Sequence, residues 1–271
     1  MKNFLKEWDK TIKKQIEGYI YVFLDFDGTI TPIKKYPKGV ILSSIMKKVV
    51  EDLSMTKDIS VSIISGRELS EIKKMVGIKN IGYVGNHGLE SEDEGLKHTI
   101  KEALKTEPLM RKINKELRTS LRSFKGIIVE NKGLSLSVHY RTVKEKDVKK
   151  AKKVFSETVR MYKNKRRIKV GEGKKVWEIR PPMDKNKGTA VLDLLRKKEK
   201  AIKKTITPIY IGDDKTDEDA FRVFKKRGYT VKVCKENTKN TYARFYLRNT
   251  AEVKKVLENI VILKKREECH V

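Results

Sequence analysis

The chain has 271 residues, with 64 Lys and Arg against 36 Asp and Glu, and its formal net charge is +28. Hydrophobic residues make up 38% and charged residues 37%, with 16 Gly and 6 Pro, which excludes a collagen-like chain and a Pro- and Gly-rich disordered chain. The longest uninterrupted apolar run, Tyr19 to Leu24, is too short to span a membrane, and the first residues lack the apolar segment of a signal peptide. We therefore expect a folded cytoplasmic protein without a membrane partner, with either one large α/β unit or two domains.

Short apolar runs predict buried strands along much of the chain. Because the runs read as continuous rather than alternating, they are typical of strands covered on both faces, as in a parallel sheet with helices on either side. The strands are predicted at 20–24, 59–64, 81–84 and 209–211. Amphipathic stretches predict helices at 40–53, 68–76, 188–204, 216–227 and 250–264.

The region from 108 to 180 has a different pattern. Apolar positions from Leu134 to Tyr140 alternate with polar positions from Ser135 to Arg141, which indicates a strand with one apolar face and one face in water. Basic helices are predicted at 109–123 and 144–163, and a turn at 171–174 is predicted to join strands 168–170 and 176–179 in a hairpin. The sequence thus predicts an α/β core with a parallel sheet in two parts, 1–107 and 183–271, interrupted by an inserted α+β domain at 108–182.

The positive charge is concentrated in the inserted region. Residues 108–180 hold 23 Lys and Arg and 7 Asp and Glu, so just over half of the excess positive charge lies there. Such a field attracts polyanions and speeds the approach of anionic ligands, so the charge by itself does not choose between nucleic acid, a membrane surface and a phosphorylated metabolite as partners. Abundant lysine beside a single glutamine, Gln15, is also typical of a heat-adapted proteome.

Carboxylates follow the first predicted strand. This strand runs into Asp25-Phe26-Asp27-Gly28-Thr29, and residues i and i+2 of an extended chain point the same way. Asp25 and Asp27 therefore emerge side by side at the carboxyl end of a strand, where ligands bind in open α/β sheets. Paired carboxylates there suit a Mg²⁺ ion or a nucleophile with its acid/base partner.

More carboxylates follow the strand at 209–211. Thr216 and Asp219 predict a helix N-cap with a capping box, which explains acidic residues at 217–219 without a functional role. Asp213 and Asp214 precede this cap, and two central strands would bring them toward the first pair of carboxylates. A divalent cation would resolve the resulting repulsion.

Two further predicted turns carry groups that suit a phosphate. Ser65 and Arg67 follow the strand at 59–64 with a hydroxyl and a guanidinium, and Lys187 opens a helix with an ammonium beside unpaired backbone N–H groups.

In this order, the motifs resemble those of the haloacid dehalogenase-like phosphohydrolases, and specifically the trehalose-6-phosphate phosphatase family. The resemblance covers roughly residues 20–225. The matching segments are 25–33 (DFDGTITPI), 65–67 (SGR), 85–88 (GNHG), 130–132 (ENK), 139–141 (HYR), 178–181 (EIRP), 186–188 (NKG) and 212–221 (GDDKTDEDAF). Relatives that act on sucrose phosphate or mannosyl-3-phosphoglycerate share the architecture.

The resemblance implies a role for each catalytic residue. Asp25 would attack phosphorus and become an aspartyl phosphate, and Asp27 would protonate the departing sugar oxygen and then deprotonate the hydrolytic water. Ser65 and Lys187 would hold the phosphoryl oxygens.

The resemblance also implies a Mg²⁺ site. Asp25, the backbone carbonyl of Asp27 and Asp213 would hold the ion, and Asp214 and Asp217 would lie nearby.

The resemblance also implies a Rossmann-like core and makes the inserted α+β domain a cap, which would bind the substrate with its polar strand face. In the family, residues that match Glu130, Lys132, Arg141 and Glu178 contact the sugar or the phosphate; the alternative is that they are solvated positions on an open sheet. The predicted substrate-binding residues are Arg67, Asn86, His87, Glu130, Lys132, Arg141 and Glu178.

We predict a Mg²⁺-dependent phosphatase acting on a small sugar phosphate, with trehalose 6-phosphate as the first expectation and another glycosyl phosphate as the alternative. A nucleic-acid-binding protein is the alternative from a different class, but the basic residues are not interleaved with aromatic ones in the manner of nucleic-acid-binding modules. No partner protein is inferred from the sequence.

Overall fold

The computed structural model describes residues 1–36, 39–235, 238 and 240–269. Its strands are β1 (Lys2–Asn3), β2 (Tyr19–Asp25), β3 (Ile59–Ile64), β4 (Gly82–Gly85), β5 (Glu90–Asp93), β6 (Leu96–Thr99), β7 (Ile128–Asn131), β8 (Leu136–His139), β9 (Lys169–Gly173), β10 (Val176–Arg180), β11 (Ile206–Gly212), β12 (Tyr229–Val233) and β13 (Phe245–Leu247). Its helices are α1 (Phe4–Glu7), α2 (Lys13–Gln15), α3 (Ser44–Met55), α4 (Leu69–Val76), α5 (Lys101–Leu104), α6 (Glu107–Ser120), α7 (Glu145–Asn164), α8 (Lys187–Ile202), α9 (Glu218–Phe224) and α10 (Thr250–Cys269). A π-helical segment, Trp8–Ile12, joins α1 to α2, and 3₁₀ turns lie at Asn86–Gly88 and Lys215–Asp217.

The chain divides into two units, each with its own hydrophobic core. The larger unit consists of Met1–Lys97 and Lys185–Val271, and the smaller unit is His98–Asp184. Compared with the insertion predicted at 108–182, the smaller unit also includes α5 and the end of β6.

The larger unit is built on a nine-stranded sheet in the order β1-β13-β12-β11-β2-β3-β4-β5-β6. β2 lies between β11 and β3, and all three strands are parallel. Val22 and Leu24 of β2 belong to one core, and Tyr21 and Phe23 belong to the other, so both faces of the strand are buried. This explains the continuous apolar run, and the predicted α/β fold is confirmed.

Helices cover the two faces of this sheet. Side chains of α3, α4 and α10 pack in the core that contains Val22, and side chains of α8 and α9 pack in the core that contains Tyr21. The carboxyl ends of the central parallel strands therefore lie at one edge of a three-layer arrangement, which is where such folds bind ligands.

Several parts of the larger unit differ from the prediction, which did not include β1, α1, α2, β12 or β13. The helix expected at 40–53 begins at Ser44, because Ser43 is extended and its hydroxyl caps the helix by accepting from the Met46 backbone N–H at 3.3 Å. The sheet also continues past β4 through β5, which is antiparallel to β4, and through β6. Glu94 and Gly95 have positive φ in the turn between them, and the polar sequence of these two strands carried no apolar run to reveal them.

The smaller unit contains an antiparallel sheet in the order β7-β8-β10-β9 with helices α6 and α7. Leu117 of α6, Phe155 of α7 and Trp177 of β10 share its core. The predicted turn at 171–174 is wrong by three residues at its start. Gly173 pairs with Val176, so the hairpin loop is Lys174-Lys175, and Lys175 takes the positive φ of 64° that this tight loop requires.

Candidate active site

A buried lysine connects two aspartates at the carboxyl ends of neighbouring strands. Lys187, the first residue of α8, donates from Nζ to Asp25 Oδ1 at 2.6 Å and to Asp217 Oδ1 at 2.7 Å. The three side chains are 3%, 7% and 0% exposed. Thr29 Oγ1 donates to the other oxygen of Asp25 at 3.0 Å, so both oxygens of the predicted nucleophile accept a hydrogen bond.

Asp217 accepts four hydrogen bonds. Lys187 Nζ and Tyr210 Oη donate to Oδ1, and the backbone N–H groups of Asp213 and Asp214 donate to Oδ2 at 2.9 Å each. A carboxylate with this many donors is held in one orientation. Asp217 therefore organises both the lysine and the turn after β11.

The same turn corrects the predicted helix cap. Asp214, not Thr216, is the N-cap, and Asp217, not Asp219, completes the capping box. The chain enters a 3₁₀ turn directly after β11, two residues before the predicted cap, and the Asp217 side chain reaches back to the Asp214 N–H.

Three buried carboxylates are close enough to share a cation. Asp25, Asp213 and Asp217 each place one oxygen within 4.8 Å of the others. Gly28, at φ +90°, leaves room for Asp213, since a Cβ there would lie 2.0 Å from Asp213 Oδ2. An oxygen-only set of buried carboxylates fits a hard divalent cation. The Asp214 carboxylate is not in this group, because it caps the following turn.

The charges of this cluster are not balanced. Burial raises the pKa of Asp25 well above its usual range, and Asp217 and Asp213 add to this while Lys187 opposes it. Burial would also raise the pKa of Asp217, but Lys187 and the hydrogen-bond donors outweigh burial and lower it. One ammonium therefore faces two buried carboxylates, and a further positive charge would balance the second one.

Asp27 lies in a different environment. Its two carboxylate oxygens accept from Arg67 Nε at 2.7 Å and from Arg67 Nη2 at 2.9 Å, in a bidentate pair. Arg67 also donates to Glu71 Oε1 at 3.3 Å, and its side chain is buried while that of Asp27 is 38% exposed. Arg67 is also a predicted substrate-binding residue, and its guanidinium pairs with the predicted acid/base residue.

The remaining predicted residues of the larger unit lie in two adjoining turns. Ser65 is buried, and its Oγ accepts from the Arg67 backbone N–H at 3.1 Å. The His87 ring packs so closely on Gly66 that a Cβ there would lie 2.4 Å from the ring. The Asn86 side-chain amide donates to Glu90 at 2.5 Å, and both Asn86 and His87 have positive φ.

In the smaller unit, a polar cluster crosses three strands. Ser137 of β8 is directly opposite Glu130 of β7 and Glu178 of β10, so the three side chains share a face. His139 Nε2 lies 2.8 Å and Lys132 Nζ 4.0 Å from Glu130 Oε2. The face is less exposed than the predicted wet side, because its long polar side chains pair with one another.

Arg141 does not join this cluster. β8 ends at His139, and Arg141 is exposed and donates to the Lys174 carbonyl at 2.7 Å in the hairpin loop. The structure therefore brings together Glu130, Lys132 and Glu178 but not Arg141.

Comparison with known proteins decides the family. The sequence model of the family described as trehalose-phosphatase matches residues 23–251. The chain belongs to the trehalose-phosphatase family. It is 34% identical to a probable trehalose-phosphate phosphatase G of Arabidopsis thaliana over 92% of this chain and 70% of the relative, and 30% identical to trehalose-phosphate phosphatase B of the same plant over 97% and 71%. The trehalose-6-phosphate phosphatase C-terminal domain of C. albicans matches 96% of this chain and 97% of its own with a TM-score of 0.81 at 26% identity.

Membership of the trehalose-phosphatase family confirms the resemblance predicted from the motifs. It also confirms the haloacid dehalogenase-like fold and the enzyme class, a phosphoric monoester hydrolase.

In this member of the trehalose-phosphatase family, several side chains that hydrogen-bond the predicted site residues could not be identified from the sequence. Tyr210 lies inside an apolar strand and was taken as core, although its hydroxyl bonds Asp217. Glu71 lies on α4 and Glu90 on β5, in a sequence with many surface acids. The spacing of Glu71 four residues after Arg67 is the one signal that could have indicated a pair.

Proposed function

We propose that this protein hydrolyses trehalose 6-phosphate to trehalose and inorganic phosphate through an aspartyl-phosphate intermediate. One observation carries the chemical part: Asp25 and Asp27 lie two residues apart in opposite environments. Asp25 is buried against an ammonium, and Asp27 is partly exposed and held by a guanidinium. Two carboxylates with different surroundings suit a nucleophile and an acid/base group. The family and the names of the relatives support the substrate.

In the first step, an Asp25 carboxylate oxygen forms a bond to phosphorus while the bond from phosphorus to the sugar oxygen breaks. Protonated Asp27 gives its proton to that oxygen, so trehalose leaves as an alcohol. Lys187 lies beside Asp25 and compensates negative charge on the phosphoryl group, and the Ser65 hydroxyl donates to one phosphoryl oxygen.

In the second step, water attacks the aspartyl phosphate and breaks its bond to Asp25. Asp27 accepts a proton from the water, and inorganic phosphate leaves. Arg67 keeps the Asp27 carboxylate in one orientation through both steps.

A Mg²⁺ ion fits the carboxylate cluster. Asp25, Asp213 and the Asp27 carbonyl would hold it, with Asp217 beside them and Asp214 at the edge of the turn. When bound, the ion neutralises charge on the phosphoryl group and on Asp25.

The smaller unit binds the sugar in this proposal. Glu130, Lys132 and Glu178 provide two carboxylates and an ammonium, which suit the hydroxyl groups of a disaccharide that has no charge beyond its phosphate. Among the described residues, no helix is both long and apolar enough to cross a membrane. A cytoplasmic location stays a prediction.

Phosphate release from a panel of substrates tests the proposal. We expect the highest kcat/KM for trehalose 6-phosphate among trehalose 6-phosphate, sucrose 6-phosphate, mannosyl-3-phosphoglycerate and p-nitrophenyl phosphate. Asp25→Asn should abolish turnover of every substrate with the fold intact, because an amide cannot form the acyl phosphate. A higher kcat/KM for another sugar phosphate contradicts the substrate, and residual turnover in Asp25→Asn contradicts the nucleophile.

A matched pair of variants tests the sugar contacts. Glu178 and Glu172 belong to the same hairpin but lie on opposite faces, because Glu178 is opposite Gly171 and Glu172 is opposite Trp177. Loss of a charge-assisted hydrogen bond of about 1.5–3 kcal/mol predicts that Glu178→Ala lowers kcat/KM for trehalose 6-phosphate about 10- to 100-fold. Glu172→Ala should not. The kcat/KM for a small aryl phosphate should not change in either variant. Equal losses of kcat/KM for trehalose 6-phosphate in the two variants would contradict the assignment.

A further inference from the structure

Two loops of the larger unit are joined by backbone hydrogen bonds. The Asn86 N–H donates to the Arg67 carbonyl at 2.7 Å, and the His87 N–H donates to the Ser65 carbonyl at 3.1 Å. The turn after β3, which carries the predicted phosphate ligand and the arginine that holds Asp27, thus rests on the turn after β4.

Glu90 connects the turn after β4 to the start of α4. It is 8% exposed, and its Oε1 accepts from the Leu69 backbone N–H at 2.8 Å and from Asn86 Nδ2 at 2.5 Å. Gly85 allows this close approach, since a Cβ there would lie 2.6 Å from the Leu69 nitrogen. One carboxylate oxygen therefore fixes the start of the helix that follows Arg67 and the turn that supports the Arg67 carbonyl.

The mechanism proposed above does not use Glu90, yet burial of a carboxylate at this position costs free energy of desolvation. Burial raises the pKa of Glu90, while the Leu69 and Asn86 donors favour the ionised form. A well-packed apolar residue at this position of β5 would not carry the free-energy cost of burying a carboxylate. The carboxylate does what an apolar residue cannot, because it accepts N–H donors from two segments at once.

We propose that Glu90 is a positioning residue for proton transfer by Asp27. It acts through Arg67: by holding the segments on both sides of the arginine, it keeps the guanidinium in the bidentate contact that orients the Asp27 carboxylate. This inference rests on the proposed function, since it gives Asp27 the acid/base role. A small displacement of an acid/base group is sufficient to slow proton transfer.

The test compares Glu90→Ala with Glu92→Ala. Glu92 lies two residues along the same strand and pairs with Lys73 of the same helix, but it is not bonded to either turn. In Glu90→Ala, we expect kcat/KM for trehalose 6-phosphate to fall at least about 10-fold more than that for p-nitrophenyl phosphate, because the sugar oxygen needs a proton as it leaves and p-nitrophenolate does not. Glu92→Ala should leave the ratio of the two values unchanged.

Two further variants separate positioning from support of the fold. Glu90→Gln keeps the oxygen that accepts both bonds and should restore most of the substrate ratio. In an Arg67→Ala background, Glu90→Ala should not change the ratio further, because the connection to Asp27 is already broken. If Glu90→Ala does not fold, Glu90→Asp keeps the charge but withdraws the carboxylate from both donors, and a smaller change of the ratio in the same direction is expected.

Equal losses on both substrates in Glu90→Ala, together with a lower melting temperature, would overturn the proposal in favour of a purely structural glutamate. An additive effect in the Arg67→Ala background would also overturn it. These results are distinct from failure of the proposed function, in which the unmodified protein releases no phosphate from trehalose 6-phosphate.

Discussion

Replacement of Lys187 should strongly destabilise the larger unit. In Lys187→Met, the side chain keeps the apolar stem but no longer neutralises the buried Asp25 and Asp217. Asp217 keeps its bonds from Tyr210 and two backbone N–H groups, whereas Thr29 is the other donor that the described residues offer Asp25. Removal of one partner of a buried ion pair costs about 3–5 kcal/mol, and we expect a loss in this range, mostly through Asp25.

The free energy of unfolding and the melting temperature should be measured with EDTA present, so that no divalent cation replaces the ammonium. The expected loss corresponds to a decrease in melting temperature of roughly 6–20 °C for a domain of this size. Lys185→Met is the matched control, because Lys185 pairs with Asp193 at 3.1 Å with side chains 39% and 58% exposed. An exposed pair contributes less than about 1 kcal/mol.

The pH dependence of the loss has a defined sign. The pKa of Asp25 in the folded protein is raised above its unfolded value, so the folded state binds the extra proton as the pH falls, and acid favours folding through this group. Without Lys187 this pKa rises further. The stability difference between Lys187→Met and the unmodified protein should therefore shrink as the pH falls from 8 toward 5.5.

A double variant can refute this reasoning. Lys187→Met with Asp25→Asn should be more stable than Lys187→Met alone, because a neutral amide needs no buried cation. Additive losses, or an equal loss in Lys185→Met, would show that the buried charge is not the cause.

Two further predictions concern the metal and the acid/base residue. Chelation should remove activity and Mg²⁺ should restore it. Gly28→Ala should raise the Mg²⁺ concentration needed for half-maximal activity, since the new Cβ would displace Asp213. Gly95→Ala is the control, because Gly95 has a similar positive φ but open space around it. Asp27→Asn should abolish hydrolysis of trehalose 6-phosphate but leave a burst of p-nitrophenol from p-nitrophenyl phosphate, measured by stopped flow, and a missing burst would argue against separate roles for the two aspartates.

Local patterns were sufficient to predict the positions of the central site residues. Asp25 and Lys187 lie at the end of an apolar run and at the start of an amphipathic helix, and both kinds of boundary are encoded within a few residues. Parallel strand topology then requires that such ends meet at one edge of the sheet. The α/β fold and the proximity of these side chains could be predicted for this reason.

The partners of the charged side chains could not be predicted in the same way. The pairing of Arg67 with Asp27 was not predicted, because a long side chain can reach several carboxylates and only the tertiary structure selects one. Arg141 followed the alternation of its strand in the sequence, but the strand ends two residues earlier and the side chain turns to a loop carbonyl. Strand ends and long polar side chains are the features that single-sequence patterns determine least.

The contact between Lys187 and Asp25 joins residues separated by 162 positions, and this has a consequence for folding. The smaller unit is one continuous segment with its own core, and its contacts can form while the chain is still being synthesised. The parallel pairing of β2 with β11 must wait until residue 206 and beyond have left the ribosome. Long-range parallel pairing is slow, because the entropy of the intervening chain is lost on loop closure before the contacts between the strands stabilise the pair. The catalytic cluster is therefore a late product of synthesis, and a chain truncated before Lys187 leaves one edge of β2 unpaired and open to aggregation.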